Sequence, residues 1–332
     1  MSIRTSAAAI ALALFGLSAP VLAQTTELNF GIISTEASAN LKKIWDPFLA
    51  EMGEGTGYKI NGFYASEYAG VIEAMRFKKV DVAWFGNKSA MEAVDRAGGE
   101  VFAQTVDVDG NPGYWSHLIV HVDSPYKSLE DVLKCDKSLD FGTGDPNSTS
   151  GFLVPNTFVF AERNIDPASC FKTVRAAKHE ANAMAVAMKQ VQVATNNSES
   201  LQRLSKTAPD AAKQIRIVWT SPLIPSDPIV WRKDLGANEK AKVYTWLLTY
   251  GRSGTPERIT KARSVLKELG WAPFKPSSDA QLLPIRQLEL TKQLLKVQGD
   301  DKLGADEKDK LLAELRKKQE AVAAQQKLIP NM

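Results

Sequence analysis

"IRIVWTSPLIPSDPIVWRKD", residues 215–234, is rich in β-branched and aromatic residues and is interrupted by Pro222, Pro225 and Pro228. Proline removes a backbone donor and pushes the residue before it out of the helical region, so this stretch must run extended. "YWSHLIVHVDSP", residues 114–125, has the same character. Between the two lies a self-contained alternation of helical and β patterns. It comprises a helix over 128–134, "LDFGT" (139–143), a helix over 149–163, "KTVRAA" (172–177), a helix over 181–189, "VQVAT" (191–195) and a helix over 198–206. A similar alternation precedes the first stretch, with strands at 28–33, 58–65, 80–86 and 101–106 and helices near 39–52, 68–78 and 88–97. Alternating strands and helices predict an α/β fold built on parallel sheets. Two long extended crossings around one such block predict that the block is an inserted lobe and that the crossings form a hinge.

The expected organisation is a first lobe over 24–121, an inserted lobe over 122–222, a return to the first lobe over 223–285, and a helical extension over 286–332. Roughly 300 residues exceed what a single core usually organises, which also favours two lobes. "MSIRTSAAAIALALFGLSAPVLA" (1–23) has an early cation at Arg4, a short apolar run and a small-residue site ending at Ala23. That pattern predicts a secretory signal peptide cleaved after Ala23, and hence export. In the tail, "DEKDKLLAELRKKQEAVAAQQKL" (306–328) places Leu311, Leu315 and Val322 on one stripe. A solvated helix packed on the first lobe and a subunit-pairing helix both fit that stripe.

A formal net charge of +3 at neutral pH gives no reason to expect nucleic acid. Three histidines and two cysteines offer no basis for a dedicated metal centre or cofactor. Cys135 and Cys170 each precede an expected strand of the inserted lobe, so both can lie at one end of its sheet. A disulfide, worth about 3–4 kcal/mol, and two free thiols are both open readings.

In open parallel sheets, ligands bind beyond the carboxyl ends of the strands. The polar residues just after each expected strand are therefore candidates: Tyr68, Asn87, Ser148, Thr149, Ser150, His179, Asn196, Asn197 and Glu199, with Tyr114 and Asp227 beside the crossings. "GTGDPNSTSG" (142–151) sets three hydroxyls side by side at an expected helix start and contains no Lys or Arg. Free amides at a helix start favour an anion, and hydroxyls add donors to it; a helix cap alone would need only one of the three. Glu199 and Asp227 bring negative charge to the same region, which would repel an anion unless the ligand also carries a cation. A zwitterion satisfies both.

Other chemistries fit less well. Ser148, His179 and Asp227 are the residue types of a nucleophilic triad, but no G-x-S-x-G elbow frames the serine. "HEANA" from His179 has Ala183 where a zinc-binding helix needs histidine, and "GTGDPN" is neither a dinucleotide fingerprint nor a P-loop. Tyr68, Trp84, Phe85, Tyr114 and Trp115 could cage a quaternary ammonium, though that reading leaves the hydroxyl run unexplained.

The exported start together with "LNFGIISTE" (28–36), "EYAG" (67–70), "MRFKKVDVAWFGN" (75–87), "SAMEAVDRA" (89–97), "VFAQTV" (101–106), "GYWSHLIV" (113–120), "FGTGDPNSTSGFLVP" (141–155), "VATNN" (193–197) and "SPLIPSDPIVWRK" (221–233) resembles the periplasmic phosphonate-binding proteins of bacterial phosphonate ABC transporters. The resemblance runs from about residue 27 to 290 and weakens in the charged tail. It implies a two-lobed periplasmic binding protein of the second structural type, without enzymatic activity, that delivers phosphonates to an inner-membrane permease. On the matching positions it implies ligand contacts from Ser148, Thr149, Ser150, Tyr68, Tyr114 and His179, with Glu199 and Asp227 holding a ligand amino group. The pair of carboxylates resembles the aminoalkylphosphonate binders, with 2-aminoethylphosphonate as the implied ligand; a receptor for phosphate, phosphite or a phosphate ester is the alternative. Gln192 and Phe85 depart from the family pattern without touching an implied contact. The family also implies possible pairing of two copies through the C-terminal helices.

Overall fold

A computed structural model describes residues 27–329; the expected signal peptide, residues 1–23, lies outside them. The chain begins with β1 (Glu27–Ile32), α1 (Ser38–Thr56), β2 (Lys59–Tyr64), α2 (Tyr68–Arg76), β3 (Val82–Trp84), α3 (Asn87–Arg96) and β4 (Gly99–Asp107). A two-residue strand, β5 (Gly113–Tyr114), leads into β6 (Ser116–His121), α4 (Leu129–Val132) and β7 (Asp140–Thr143). A helical run from Thr149 to Arg163 follows, then α5 (Pro167–Cys170), β8 (Thr173–Ala176), α6 (His179–Ala187), β9 (Val193–Asn197), α7 (Ser198–Thr207), α8 (Pro209–Lys213) and β10 (Ile215–Thr220). The last part holds β11 (Ile224–Pro225), β12 (Pro228–Arg232), α9 (Ala237–Thr249), α10 (Pro256–Leu269), β13 (Trp271–Pro276), α11 (Leu283–Gln298) and α12 (Ala305–Lys327).

These strands form a six-stranded sheet in the order β13-β4-β12-β3-β1-β2 and a five-stranded sheet in the order β10-β6-β9-β7-β8. All strands of the second sheet lie, in sequence, between β4 and β12 of the first. The parallel pairing that the alternation predicts holds for β1 with β2 and β3, and for β7 with β8 and β9. It fails for the strands that the crossings deliver: β12 is antiparallel to β3 and β4, and β6 is antiparallel to β9 and β10. A chain entering a sheet directly from the other lobe arrives without the return helix that parallel pairing requires. At the crossing itself β5 and β11 pair antiparallel, Tyr114 opposite Ile224 and Gly113 opposite Pro225. This ribbon is the hinge.

Each sheet has its own core. Under the first, the rings of Phe30, Trp45, Phe48, Trp84 and Trp271 pack edge-on or tilted, with centroids 5.3–6.3 Å apart. Under the second, Phe141 and Phe171 stack with centroids 4.6 Å apart, and Phe160 packs edge-on against both. Full burial of such rings is worth roughly 1.5–3 kcal/mol each, so each sheet is stabilised by its own core.

The helix expected over 149–163 is present but widened. It comprises π-turns over Thr149–Leu153 and Asn156–Phe160 and a tight 3₁₀ end over Ala161–Arg163. Pro155 has no N–H for the carbonyl of Gly151 and would crowd it in an α-helix. Here Gly144 N donates to that carbonyl at 2.9 Å. The contact is so close that a Cβ on Gly144 would lie 2.5 Å from Gly151 Cα, so "GTGDPNSTSG" is folded hard against its own helix.

Cys135 and Cys170 are joined in a disulfide. They precede β7 and β8, which pair with Asp140 opposite Thr173, so both thiols reach the same end of the sheet. In the tail, α12 packs along α11, burying Leu312 and Leu315 against Leu294. Leu311 and Val322 are only half-buried, so the buried stripe is 312 and 315 rather than the expected 311, 315 and 322.

Candidate ligand-binding site

The hydroxyl run lies where the two sheets face each other, and its geometry follows from the tight loop before it. Ser148 ends the loop in an extended conformation, and its Oγ accepts from Gly151 N at 2.9 Å, capping the widened helix. Thr149 Oγ1 accepts from Lys88 N of α3, across the cleft, at 2.8 Å. Ser150 Oγ accepts from Asn197 Nδ2 at 2.9 Å. A hydroxyl offers one proton and two lone pairs. Each of the three therefore receives an N–H hydrogen bond and keeps its own proton to give.

His179 starts α6 beside them. Its Nε2 lies 3.3 Å from Asn197 Nδ2 and 3.5 Å from Ser148 Oγ. Complete burial, with a smaller contribution from the Arg203 charge, lowers its pKa to about 3, so the ring is neutral at physiological pH. With Nε2 facing an amide donor, the ring proton belongs on Nδ1, which is buried and has no protein partner. Asn196 holds this arrangement from behind, its Nδ2 donating to the His179 carbonyl at 2.8 Å.

Carboxylates border the same space. Asp227, between β11 and β12, accepts from the Tyr114 hydroxyl at 3.0 Å. Burial raises its pKa well above the ordinary value, and the neighbouring charge of Glu199 raises it further. Glu199, in the first turn of α7, is also raised by burial, partly offset by Arg203. Burial likewise raises Tyr68 and Tyr114, keeping both phenols protonated. The Tyr114 hydroxyl and the Arg203 charge favour the ionised form of Asp227; the indole N–H of Trp84 is buried without a hydrogen-bond partner.

All eight residues expected from the sequence line one cavity: Tyr68, Tyr114, Ser148, Thr149, Ser150, His179, Glu199 and Asp227. Of the other polar residues considered, Asn197 lines it, whereas Asn87 is held at the hinge, donating to the Pro225 carbonyl and accepting from Gln281. Among the aromatics considered for a cage, Trp84 joins the two tyrosines while also packing on Trp45 and Trp271; Phe85 and Trp115 are not in the lining. The reading from sequence missed Arg203 and Thr35, which also line the cavity. Arg203 follows Glu199 by four residues on one helix face, a spacing that was legible. What the spacing does not reveal is its partner, Glu36, whose Oε1 accepts from Arg203 Nε at 2.5 Å across the cleft.

Two α/β lobes joined by paired crossing strands, with a polar buried cavity between them, define a bilobal solute receptor of the periplasmic-binding-protein class. The family model for "ABC transporter, phosphonate, periplasmic substrate-binding protein" matches residues 30–282, and the chain belongs to that family. It is 57% identical over 288 residues to the phosphonates-binding periplasmic protein of Escherichia coli strain K12, covering 87% of this chain and 82% of that one. Its structure resembles the crystal structure of a binding protein component of an ABC phosphonate transporter from Pseudomonas aeruginosa, with a TM-score of 0.87, 52% identity, and coverage of 91% and 98% of the two chains. The fold also matches a protein from Prochlorococcus marinus (MIT 9301) in complex with methylphosphonate, at a TM-score of 0.71 and 20% identity, covering 82% and 100%. The protein is thus a periplasmic phosphonate-binding receptor of an ABC transporter and not an enzyme. Among the described residues no helix is long and apolar enough to cross a membrane.

Proposed function

We propose that the cavity binds zwitterionic aminoalkylphosphonates, with 2-aminoethylphosphonate the best fit, and releases them to the permease. The observation that carries this reading is the pairing of three proton-giving hydroxyls with two buried carboxylates around one small cavity. Ser148, Thr149 and Ser150 supply donors to the phosphonate oxygens, and the neutral His179 lines the cavity beside them. Tyr68 and Tyr114 wall the cavity, and Glu199 and Asp227 receive the ammonium group. Burying two carboxylates beside a single arginine already paired to Glu36 is unfavourable, and a ligand cation relieves that cost. A phosphonate without an amine, or inorganic phosphate, would leave both carboxylates uncompensated.

The lobes proposed here are bounded at the hinge ribbon, so β6 (Ser116–His121), hydrogen-bonded into the second sheet, moves the start of the inserted lobe ahead of the expected 122, and 286–332 is an extension outside the site. Pairing of two copies through that extension adds nothing to the cavity. A crystal structure with 2-aminoethylphosphonate tests the assignment directly. It should place phosphonate oxygens within hydrogen-bond reach of all three hydroxyls and the amine beside Asp227; a reversed ligand would overturn the roles given to both groups.

A further inference from the structure

The first three helices of the first lobe begin without caps of their own. The N-cap positions of α1, α2 and α3 are Ala37, Glu67 and Gly86, none makes a side-chain cap hydrogen bond, and no first turn contains an acid. Several other helices carry a side-chain cap, as Thr255 on α10 and Asn197 on α7 do, or an acid in the first turn, as Glu239 on α9 and Asp306 on α12. The unpaired amides and positive ends of α1, α2 and α3 are met from the other lobe instead. Glu180 Oε2 accepts from Ala37 N at 2.8 Å, and its Oε1 accepts from Asn40 Nδ2 at 2.5 Å. Asp145 Oδ2 accepts from Tyr68 N at 3.1 Å. Thr149 Oγ1 accepts from Lys88 N. Glu180 thus does for α1, across the cleft, what the third helical residue does in a capping box.

We infer that Glu180 and Asp145 are positioning residues of the receptor: they set ligand affinity by capping α1 and α2 only when the lobes close, without touching the ligand. Neither lines the cavity. In an open form the three helix starts face water. Closure exchanges that water for carboxylates at α1 and α2, which bond amides more strongly than neutral acceptors do, and for the Thr149 hydroxyl at α3. The Glu36–Arg203 pair and the hydrogen bond from Lys178 Nζ to the Glu36 carbonyl at 3.3 Å close the same seam. Because apparent affinity scales with the closed fraction, removing a cap opens the cleft and weakens every ligand alike. Selectivity stays with Glu199 and Asp227.

The inference rests on the proposed ligand reading only for its probes. Stopped-flow tryptophan fluorescence with 2-aminoethylphosphonate and with methylphosphonate should show Glu180→Ala raising the dissociation rate about tenfold for both, with association within twofold. Glu180→Gln, which keeps an acceptor oxygen, should recover part of the loss. Adding Asn40→Glu to Glu180→Ala gives α1 a capping-box carboxylate of its own in both open and closed forms. It should restore helix stability and leave dissociation fast; recovery of wild-type dissociation would reduce Glu180 to a structural role and overturn the inference, as would an unchanged rate in Glu180→Ala. If the wild type bound neither probe, the ligand reading alone would fall, and the same dissociation comparison would be run with inorganic phosphate as the probe; equal rates in the wild type, Glu180→Ala and Asp145→Ala would refute the closure role.

Discussion

Tyr114 and Asp227, 113 residues apart in sequence, are joined by a 3.0 Å hydrogen bond directly beside the ribbon in which the two crossing strands pair. The carboxylate proposed to read the ligand's amine is therefore tied to the hinge. Ionising Asp227 strengthens its bond to the Tyr114 hydroxyl, so ligand charge and hinge geometry meet in one contact. Among the groups lining the cavity are hydroxyls, proposed to hold an anion, carboxylates, proposed to hold a cation, and two tyrosines.

The hydroxyls predict a loss that is blind to the rest of the ligand. Ser148→Ala and Ser150→Ala should each weaken 2-aminoethylphosphonate and methylphosphonate by a similar factor, about tenfold, as expected for removing one hydrogen bond to a charged group. Calorimetry on both ligands checks this. A loss confined to the amino ligand would move the phosphonate away from the serines.

The raised carboxylates predict proton release. Burial lifts Glu199 and Asp227, which favours their protonated forms in the unliganded cavity, and an ammonium group favours the ionised forms. Binding of 2-aminoethylphosphonate should expel protons, and its affinity should rise with pH through the raised carboxylate range. The sign for stability is opposite. A carboxylate whose folded pKa exceeds the unfolded value, about 4, stabilises the unliganded fold below that value and costs stability as pH rises through the folded pKa. Calorimetry in buffers of different ionisation enthalpy should show release for the amino ligand and much less for methylphosphonate. His179, neutral down to about pH 3, contributes no transition near pH 6.5.

Much of this arrangement was readable from the chain. Prolines 222, 225 and 228 forced the second crossing, and the polar residues after strands and beside the crossings included all eight that the resemblance implied, together with Asn87 and Asn196, which do not line the cavity. Three features were not legible, each for a physical reason. The antiparallel entry of β6 and β12 depends on which end of a sheet a crossing reaches, which no local pattern encodes. The π-turns after Thr149 arise because Gly144 takes the carbonyl that Pro155 leaves unpaired, a contact between loop and helix. The Glu36–Arg203 pair joins residues 167 positions apart, and residue types alone could not match that glutamate to that arginine.

The disulfide predicts a separation of stability from function. It closes a loop of 35 residues between Cys135 and Cys170, worth about 3–4 kcal/mol through restriction of the unfolded chain. Neither cysteine lines the cavity. Reduction, or Cys135→Ala with Cys170→Ala, should lower the melting temperature by several degrees, roughly in proportion to that energy, while the dissociation constant for 2-aminoethylphosphonate changes less than twofold. A parallel loss of affinity would show that the second sheet transmits strain to the hydroxyl run.

The central claim, a cavity built for a zwitterion, is tested most directly by one calorimetric comparison. Affinities for 2-aminoethylphosphonate and methylphosphonate are measured on the wild type, Glu199→Ala and Asp227→Ala. The account predicts that the wild type prefers the amino ligand and that each substitution weakens it by tenfold or more, as removal of one partner of a buried charge pair does, with little effect on methylphosphonate. Equal affinities in the wild type, or equal losses for both ligands in the variants, would contradict it.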